Sequence, residues 1–189
     1  MRTPKQNYPM RALVKQIVAR MTVFQEGANR CLERLNDAKM WQRLHPKDNA
    51  IGNLVLHATG SLRRWIISGV GGDSDGSERQ SEFDVRGGLT RVELAILLRQ
   101  TVEASCNVID SLPAEKVLER GFVQNTDNII AYAMVGAVAH LGIHAGVGDG
   151  SIGFRLHCFD VGESAAQTEL DFRWWYCRCI LWSSAVASG

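Results

Sequence analysis

Four segments of this chain repeat their apolar residues at steps of three and four, and this spacing constrains the fold most. It produces one buried stripe on an α-helix, which has 3.6 residues per turn. The segments cover residues 9–35, 51–66, 90–109 and 128–144. The alternation of apolar and polar residues that marks strands of a half-buried sheet is missing from the sequence. The pattern therefore predicts an all-α protein built as a four-helix bundle.

The connections between these segments carry loop chemistry. Residues 36–49 contain His45 before Pro46, a pair that biases the backbone away from helix. Residues 71–88 are rich in glycine, aspartate and serine, and we expect a long solvated loop there without a regular element. Asp48 or Asn49 is the expected cap of the second helix.

Two further boundaries follow from the residues at the start and end of the later segments. Thr90 and Glu93 form a capping-box pattern, which predicts that the third helix begins there. The stretch between the third and fourth segments is expected to be extended near Phe122 and Val123. Beyond residue 146 the chain becomes glycine-rich and loses its helical spacing. We therefore expect a bundle over residues 1–146 and a divergent, irregular and poorly ordered C-terminal tail over 147–189.

The charge balance narrows the classes of partner. The chain has 21 Lys and Arg against 20 Asp and Glu, which gives no excess of positive charge for nucleic-acid phosphates or an anionic membrane. Its apolar runs are too short to cross a bilayer. The polar N-terminus lacks the apolar core of a signal peptide, and the five cysteines are dispersed. We expect a cytoplasmic protein that binds neither nucleic acid nor membrane.

His140 and His144 lie four residues apart among apolar residues of the fourth segment. Four residues rise about 6 Å and stay on one helical face, so the two imidazoles could share one metal ion. The pair alone also fits two packed or partly exposed histidines. His57 is a third ionisable group among apolar residues, in the second segment, where burial without a partner is costly. If the second and fourth helices adjoin, the three histidines supply the ligands of an open catalytic metal site.

Three imidazole nitrogens do not select one metal ion. Affinity follows the general order of the divalent metals, and selection depends on geometry and supply. We expect zinc as the default, with nickel, iron, copper or manganese as alternatives. The sequence assigns no catalytic side chain, and it indicates no organic cofactor.

Three separated motifs resemble a known family. They are IGNLVLHATGSLRRWI at 51–66, RQSEF at 79–83 and AHLGIHAG at 139–146. In this order they resemble the DinB-like (DinB/YfiT) superfamily of four-helix metalloproteins, in an uncharacterised branch, over residues 10–146. The resemblance implies an up-down-down-up bundle. It also implies a divalent metal held by one histidine of the second helix and two of the fourth, which map onto His57, His140 and His144.

The resemblance also implies a function. Similar proteins of known activity use low-molecular-weight thiols, so we expect transfer of such a thiol to an electrophile through a metal-activated thiolate, with a metal-dependent hydrolase as a related activity. The alternative is a non-catalytic, stress-associated bundle that binds metal or dimerises. A homodimer is an expectation from similar proteins. Two departures stand out, namely Ser61 where the family commonly has asparagine, and the missing glutamine after His144.

Other residues have alternative interpretations. Cys177 and Cys179, with His157 and Cys158 upstream, could form a second metal site. A spacing of one residue suits few structural zinc motifs, and the flanking tryptophans favour burial or aggregation. Asp73 and Asp75 resemble a calcium loop that lacks its final glutamate, so a solvated loop is favoured. One set of arginines could meet an anionic substrate or could pair with Glu82 and Asp84 to pin the loop, and the structural role is favoured: Arg63, Arg64 and Arg79.

Overall fold

A computed structural model gives the structure of residues 4–149 except 44, 47, 75, 77 and 125, with the backbone alone at 4–7 and 146–149. Its four long helices are α1 (Pro4–Glu33), α3 (Ile51–Leu62), α5 (Arg91–Ser111) and α6 (Ile130–Asp149). The chain continues from α3 without a break into a π-helix, Arg63–Ser68. The shorter elements are α2 (Asp37–Met40), α4 (Arg79–Asp84), a 3-10 turn (Lys116–Leu118), β1 (Arg120–Val123) and β2 (Thr126–Ile129).

The long helices pack as a bundle around one apolar core. Both α1 and α3 pack against α5 and α6. Each helix contributes large side chains that are almost fully buried, among them Met21, Leu62, Leu94, Leu98 and Met134. Burial of these stripes is the main favourable term in the stability of such a fold. The predicted all-α four-helix bundle is confirmed.

The N-terminal caps of α5 and α3 can be compared with the caps predicted from the sequence. The capping box at α5 is confirmed, because Thr90 Oγ1 accepts a hydrogen bond from the Glu93 backbone at 3.2 Å and Glu93 Oε2 accepts one from the Thr90 backbone at 2.8 Å. The cap predicted at Asp48 or Asn49 is wrong. The capping position of α3 is Ala50, whose N–H donates to Asn53 Oδ1 at 3.1 Å.

The loop at 71–88 contains α4, so the prediction that it holds no regular element is wrong. Its glycines flank the helix, and the six residues of α4 contain none. Residues 36–49, predicted as a connection, contain the one-turn helix α2, which Asn36 caps.

The extended stretch near Phe122 and Val123 is confirmed as one strand of a hairpin. β1 and β2 pair antiparallel, with Gly121 opposite Asn128. Because Asn128 belongs to this hairpin, α6 begins at Ile130, two residues later than predicted. The helix also extends past the predicted end at residue 144, to Asp149.

Residues 147–149, predicted as the start of the irregular tail, are the last residues of α6. The rest of the tail, 150–189, lies outside the described residues, and so do Cys177, Cys179, Cys158 and His157. Among the helices that the structure describes, none combines the length and apolar character needed to span a bilayer.

Candidate metal centre

The structure brings His57, His140 and His144 together inside the bundle. His57 lies on α3, and the two other histidines lie one turn apart on α6. The Nε2 atoms of His57 and His140 are 3.1 Å apart, and so are those of His140 and His144. One nitrogen from each ring lies within 4.8 Å of the others. Two helices that are distant in sequence therefore direct three imidazoles at one point.

This arrangement fits a bound metal ion. Nitrogen ligands set at 90° to 109° around an ion about 2.05 Å away lie about 2.9 to 3.4 Å apart, and the two short Nε2 separations fall in that range. Within the described part of the chain, this is the group of histidine, cysteine or carboxylate side chains that could hold a metal ion. Three ligands leave at least one coordination position for water or substrate.

The histidines are suited to ligation because burial keeps them neutral. Burial, aided by the neighbouring histidines, lowers the pKa of His144 to about 3 and holds that of His140 well below its ordinary value. Burial also lowers the pKa of His57 despite the opposing hydrogen bond to Glu82. Only a neutral imidazole has the lone pair that binds a metal. All three rings are therefore in the ligand form at neutral pH.

Glu82 fixes which nitrogen of His57 faces the centre. Its Oε2 lies 2.8 Å from His57 Nδ1, in a contact that is buried on both sides. Burial alone would raise the pKa of Glu82, but hydrogen bonds from His57 and Arg64 outweigh it and lower that pKa. An ionised carboxylate can only accept, so Nδ1 of His57 carries the proton and Nε2 keeps its lone pair.

Arg64 and Gly60 hold the Glu82 carboxylate in place. Arg64, in the π-helix, contacts both carboxylate oxygens, Nη1 with Oε1 and Nη2 with Oε2 at 3.2 Å. The carboxylate lies directly against Gly60 of α3, where any Cβ would overlap Oε1. The favoured structural role of Arg64, pinning the loop to the second long helix, is confirmed. Asp84 does not take part, and it accepts a hydrogen bond from Gln80 at 2.9 Å.

Asn53 of α3 positions α4 through hydrogen bonds to backbone carbonyls. Its side chain is fully buried, and its Nδ2 donates to the Glu82 and Val85 carbonyls, both at 2.9 Å. Its Oδ1 accepts from the Ala50 backbone and from Arg43 Nη2 at 2.7 Å. The amide is thus satisfied on all sides. The sequence analysis missed this residue, although an asparagine in the first turn of an apolar helix was the available signal.

Phe83 completes the wall next to His57. The centroids of the Phe83 and His57 rings are 4.7 Å apart. The guanidinium of Arg79 lies over the Phe83 ring, 5.5 Å from its centroid. Arg79 is exposed at the start of α4. The RQSEF segment therefore supplies both the carboxylate that orients His57 and the aromatic ring that packs against it.

An apolar recess borders the centre at His144. It is small, with a volume of about 30 Å³ open to the centre of a water-sized molecule, and its walls come from α1, α3, α5 and α6. Apart from His144, the lining side chains are apolar, among them Leu32, Val55, Leu98 and Leu141. Electrostatic interactions strengthen beside such a low-dielectric wall.

The structure gives the remaining candidate residues no contact with the three histidines. Arg63 and Asp73 are exposed, and Asp75 lies outside the described residues. Ser61 is buried on α3 with 6% of its surface exposed. The position of the missing glutamine, Val147, falls where only the backbone of α6 is described.

Comparison with known proteins agrees with this architecture. The family described as "Protein of unknown function (DUF1572)" matches residues 10–148. The chain belongs to the DUF1572 family. No curated protein matches it.

Among solved structures, this DUF1572 protein is similar to a DinB-like protein from Bacillus cereus ATCC 10987, whose crystal structure was determined at 2.01 Å resolution. The TM-score is 0.58 at 15% sequence identity, and the match covers 71% of this chain and 87% of that one. At this identity the similarity concerns the fold. It confirms the helical fold that the resemblance to the DinB-like superfamily implied.

Proposed function

We propose that this protein binds one divalent metal ion through Nε2 of His57, His140 and His144, and transfers a low-molecular-weight thiol to an electrophile. The observation that carries the metal site is the convergence of three neutral imidazoles, one of them oriented by Glu82. Zinc is the metal we propose, because three histidines with an open position are typical of catalytic zinc sites. When bound, the ion would supply Lewis acidity, which lowers the pKa of a thiol or water.

The protein's own described cysteines do not supply the thiol. Cys31 is buried. Burial, with the nearby charges of Asp110 and Glu103, raises the pKa of Cys106 to about 11. A thiol with such a pKa is almost fully protonated at neutral pH and a poor nucleophile. We propose that the reacting sulfur belongs to a small-molecule substrate, as the resemblance to thiol-using DinB-like proteins suggests.

Glu82 orients His57 and does not act as a general base. Both of its oxygens are engaged, by His57 and Arg64, and its pKa is lowered. An acceptor of protons needs a free oxygen and a pKa near neutrality. We therefore propose that the thiol proton passes to solvent, to which His140 and His144 are partly exposed.

The proposal is tested by turnover with an aryl halide and a panel of small thiols. The thiol sulfur forms a bond to carbon, the halide leaves with its electron pair, and the thiol proton passes to buffer. We expect turnover by zinc-loaded protein, loss of turnover after chelation, and a loss of at least about 100-fold in His140→Ala, as expected when a metal ligand is removed. Metal binding without consumption of any thiol would reject the transferase.

The second candidate is a non-catalytic metal-binding bundle. The triad joins α3 to α6, so an ion bound there would cross-link two helices and stabilise the folded state only. This function predicts metal-dependent melting with no thiol or water chemistry.

The homodimer and the cytoplasmic location remain predictions. Size-exclusion chromatography with light scattering tests the homodimer, and cell fractionation tests the location.

A further inference from the structure

The arginines near the centre differ in how their charges are used. Arg64 is matched by Glu82, with only 12% of its side chain exposed. Arg79 is exposed, and it forms no ion pair or hydrogen bond with the described residues. The charge of Arg64 is therefore balanced by a neighbouring carboxylate, whereas no described carboxylate lies within ion-pair distance of Arg79.

Arg79 is held close to the triad and does not point away from it. Its guanidinium lies 5.5 Å from the centroid of Phe83, whose ring packs on His57 at 4.7 Å. The cation therefore lies one aromatic ring away from His57, at the exposed start of α4.

From this placement we propose that Arg79 binds an anionic group of the small-molecule substrate, a carboxylate in the first instance, beside the histidine triad. The planar fork of a guanidinium binds a carboxylate through two parallel hydrogen bonds. The contact with Phe83 limits the motion of the side chain, so less entropy is lost when the anion binds. The inference rests on the proposed function, and it narrows the thiol substrate to one that carries a carboxylate.

The first experiment uses metal-free protein, so that it does not depend on the centre being loaded. ¹⁵N-labelled protein is titrated with succinate, and with the neutral succinamide as a matched probe. The Nε–H signal of Arg79 is assigned by its loss in Arg79→Gln. Arg99, an exposed arginine on α5 in a groove with α1, is the control. We expect a saturable shift at Arg79 with succinate, none with succinamide, and none at Arg99.

The second experiment uses cobalt-substituted protein, in which a bound thiolate gives a charge-transfer absorption. The affinity for 3-mercaptopropionate is compared with that for 2-mercaptoethanol. We expect the carboxylate to improve binding about tenfold, as one charge-assisted hydrogen-bonded pair does at a partly exposed site. Arg79→Gln should remove this preference and leave binding of 2-mercaptoethanol unchanged, and Arg99→Gln should change neither.

The outcomes separate this inference from the proposed function. Equal succinate shifts at Arg79 and Arg99, or a carboxylate preference that persists in Arg79→Gln, would overturn the role of Arg79. Failure of cobalt to bind, or of any thiol to give the absorption, would reject the proposed function instead. In that case the succinate titration alone decides whether Arg79 is an anion site.

Discussion

The carboxylate of Glu82 accepts a hydrogen bond from Nδ1 of His57 at 2.8 Å, across 25 residues of sequence. This contact determines the tautomer of His57, and with it the nitrogen that faces His140 and His144. The loop segment at 79–83 is therefore part of the centre, although it contributes no atom to the triad. Carboxylates that accept from a ligating histidine commonly fix its orientation and raise its basicity.

Replacement of Glu82 should weaken metal binding without removing a ligand. Glu82→Gln leaves an amide that cannot balance Arg64 or fix the His57 tautomer, and we expect metal affinity to fall about 10- to 100-fold, as for other partners of ligating histidines. Competition with a chromogenic chelator measures this. Glu93→Gln, at the exposed cap of α5, is the matched control and should bind metal like the wild type. Equal affinities in Glu82→Gln and Glu93→Gln would contradict the role of Glu82.

Addition of a single methyl group at Gly60 should disturb the Glu82 carboxylate and, through it, His57. The Cβ of Gly60→Ala would overlap Glu82 Oε1, so the carboxylate must shift from the position in which it contacts His57 and Arg64. We expect lower metal affinity with helicity retained by circular dichroism. The control is Gly27→Ala on α1, where a Cβ has open space, with Arg30 its nearest contact at 3.8 Å. That variant should gain about 0.5 to 1 kcal/mol of stability, because alanine favours helix.

The buried amide of Asn53 should matter mainly for stability. Asn53→Ala leaves the Glu82 and Val85 carbonyls and the Ala50 N–H without their partner. Unpaired buried groups of this kind are costly, so we expect a loss of about 2 to 4 kcal/mol in the free energy of unfolding. Urea denaturation of metal-free protein measures it. The control is Asn128→Ala, which loses one hydrogen bond in the hairpin, and its loss of unfolding free energy should stay below about 1 kcal/mol. Similar losses in both variants would contradict the structural role of the Asn53 hydrogen bonds.

Cys106 should react slowly with alkylating reagents. Its raised pKa, about 11, keeps the thiol protonated at neutral pH, and its reactive fraction grows about tenfold per pH unit until the pH approaches that value. Site-resolved mass spectrometry of iodoacetamide labelling between pH 7 and 9.5 measures the rate. We expect no plateau in this range, whereas a free cysteine levels off near its ordinary pKa of about 8.5. A plateau near pH 8.5 at Cys106 would contradict the raised pKa of this partly buried thiol.

The four long helices and the triad were within reach of sequence reasoning because their signals are local and periodic. The apolar stripes predict helices, and His140 and His144 share a face by their spacing alone. His57 was a candidate because it is an ionisable group among apolar residues, and it joined the pair on the condition that the second and fourth helices adjoin, which α3 and α6 do. The capping box at Thr90 held because both of its hydrogen bonds lie within four residues.

The features that the sequence analysis missed depend on contacts between distant residues. α4 is short, and hydrogen bonds from Asn53 and Arg43 in another part of the chain hold it in place. The local sequence, in which glycines surround the helix, therefore predicted a loop. The π-helix at 63–68 keeps an apolar spacing close to that of an α-helix. The cap of α3 was misplaced because Asn53 acts from inside the helix and not from the residue before it.

The most direct test of the account is the metal content of purified, untagged protein, measured beside His57→Ala and His140→Ala. We expect about one divalent ion per chain in the wild type and loss of that ion in both variants, with the helical circular dichroism signal retained, because each histidine would supply one of the three proposed ligands. A wild-type chain that retains no metal after loading with zinc or nickel and removal of the excess would contradict the account.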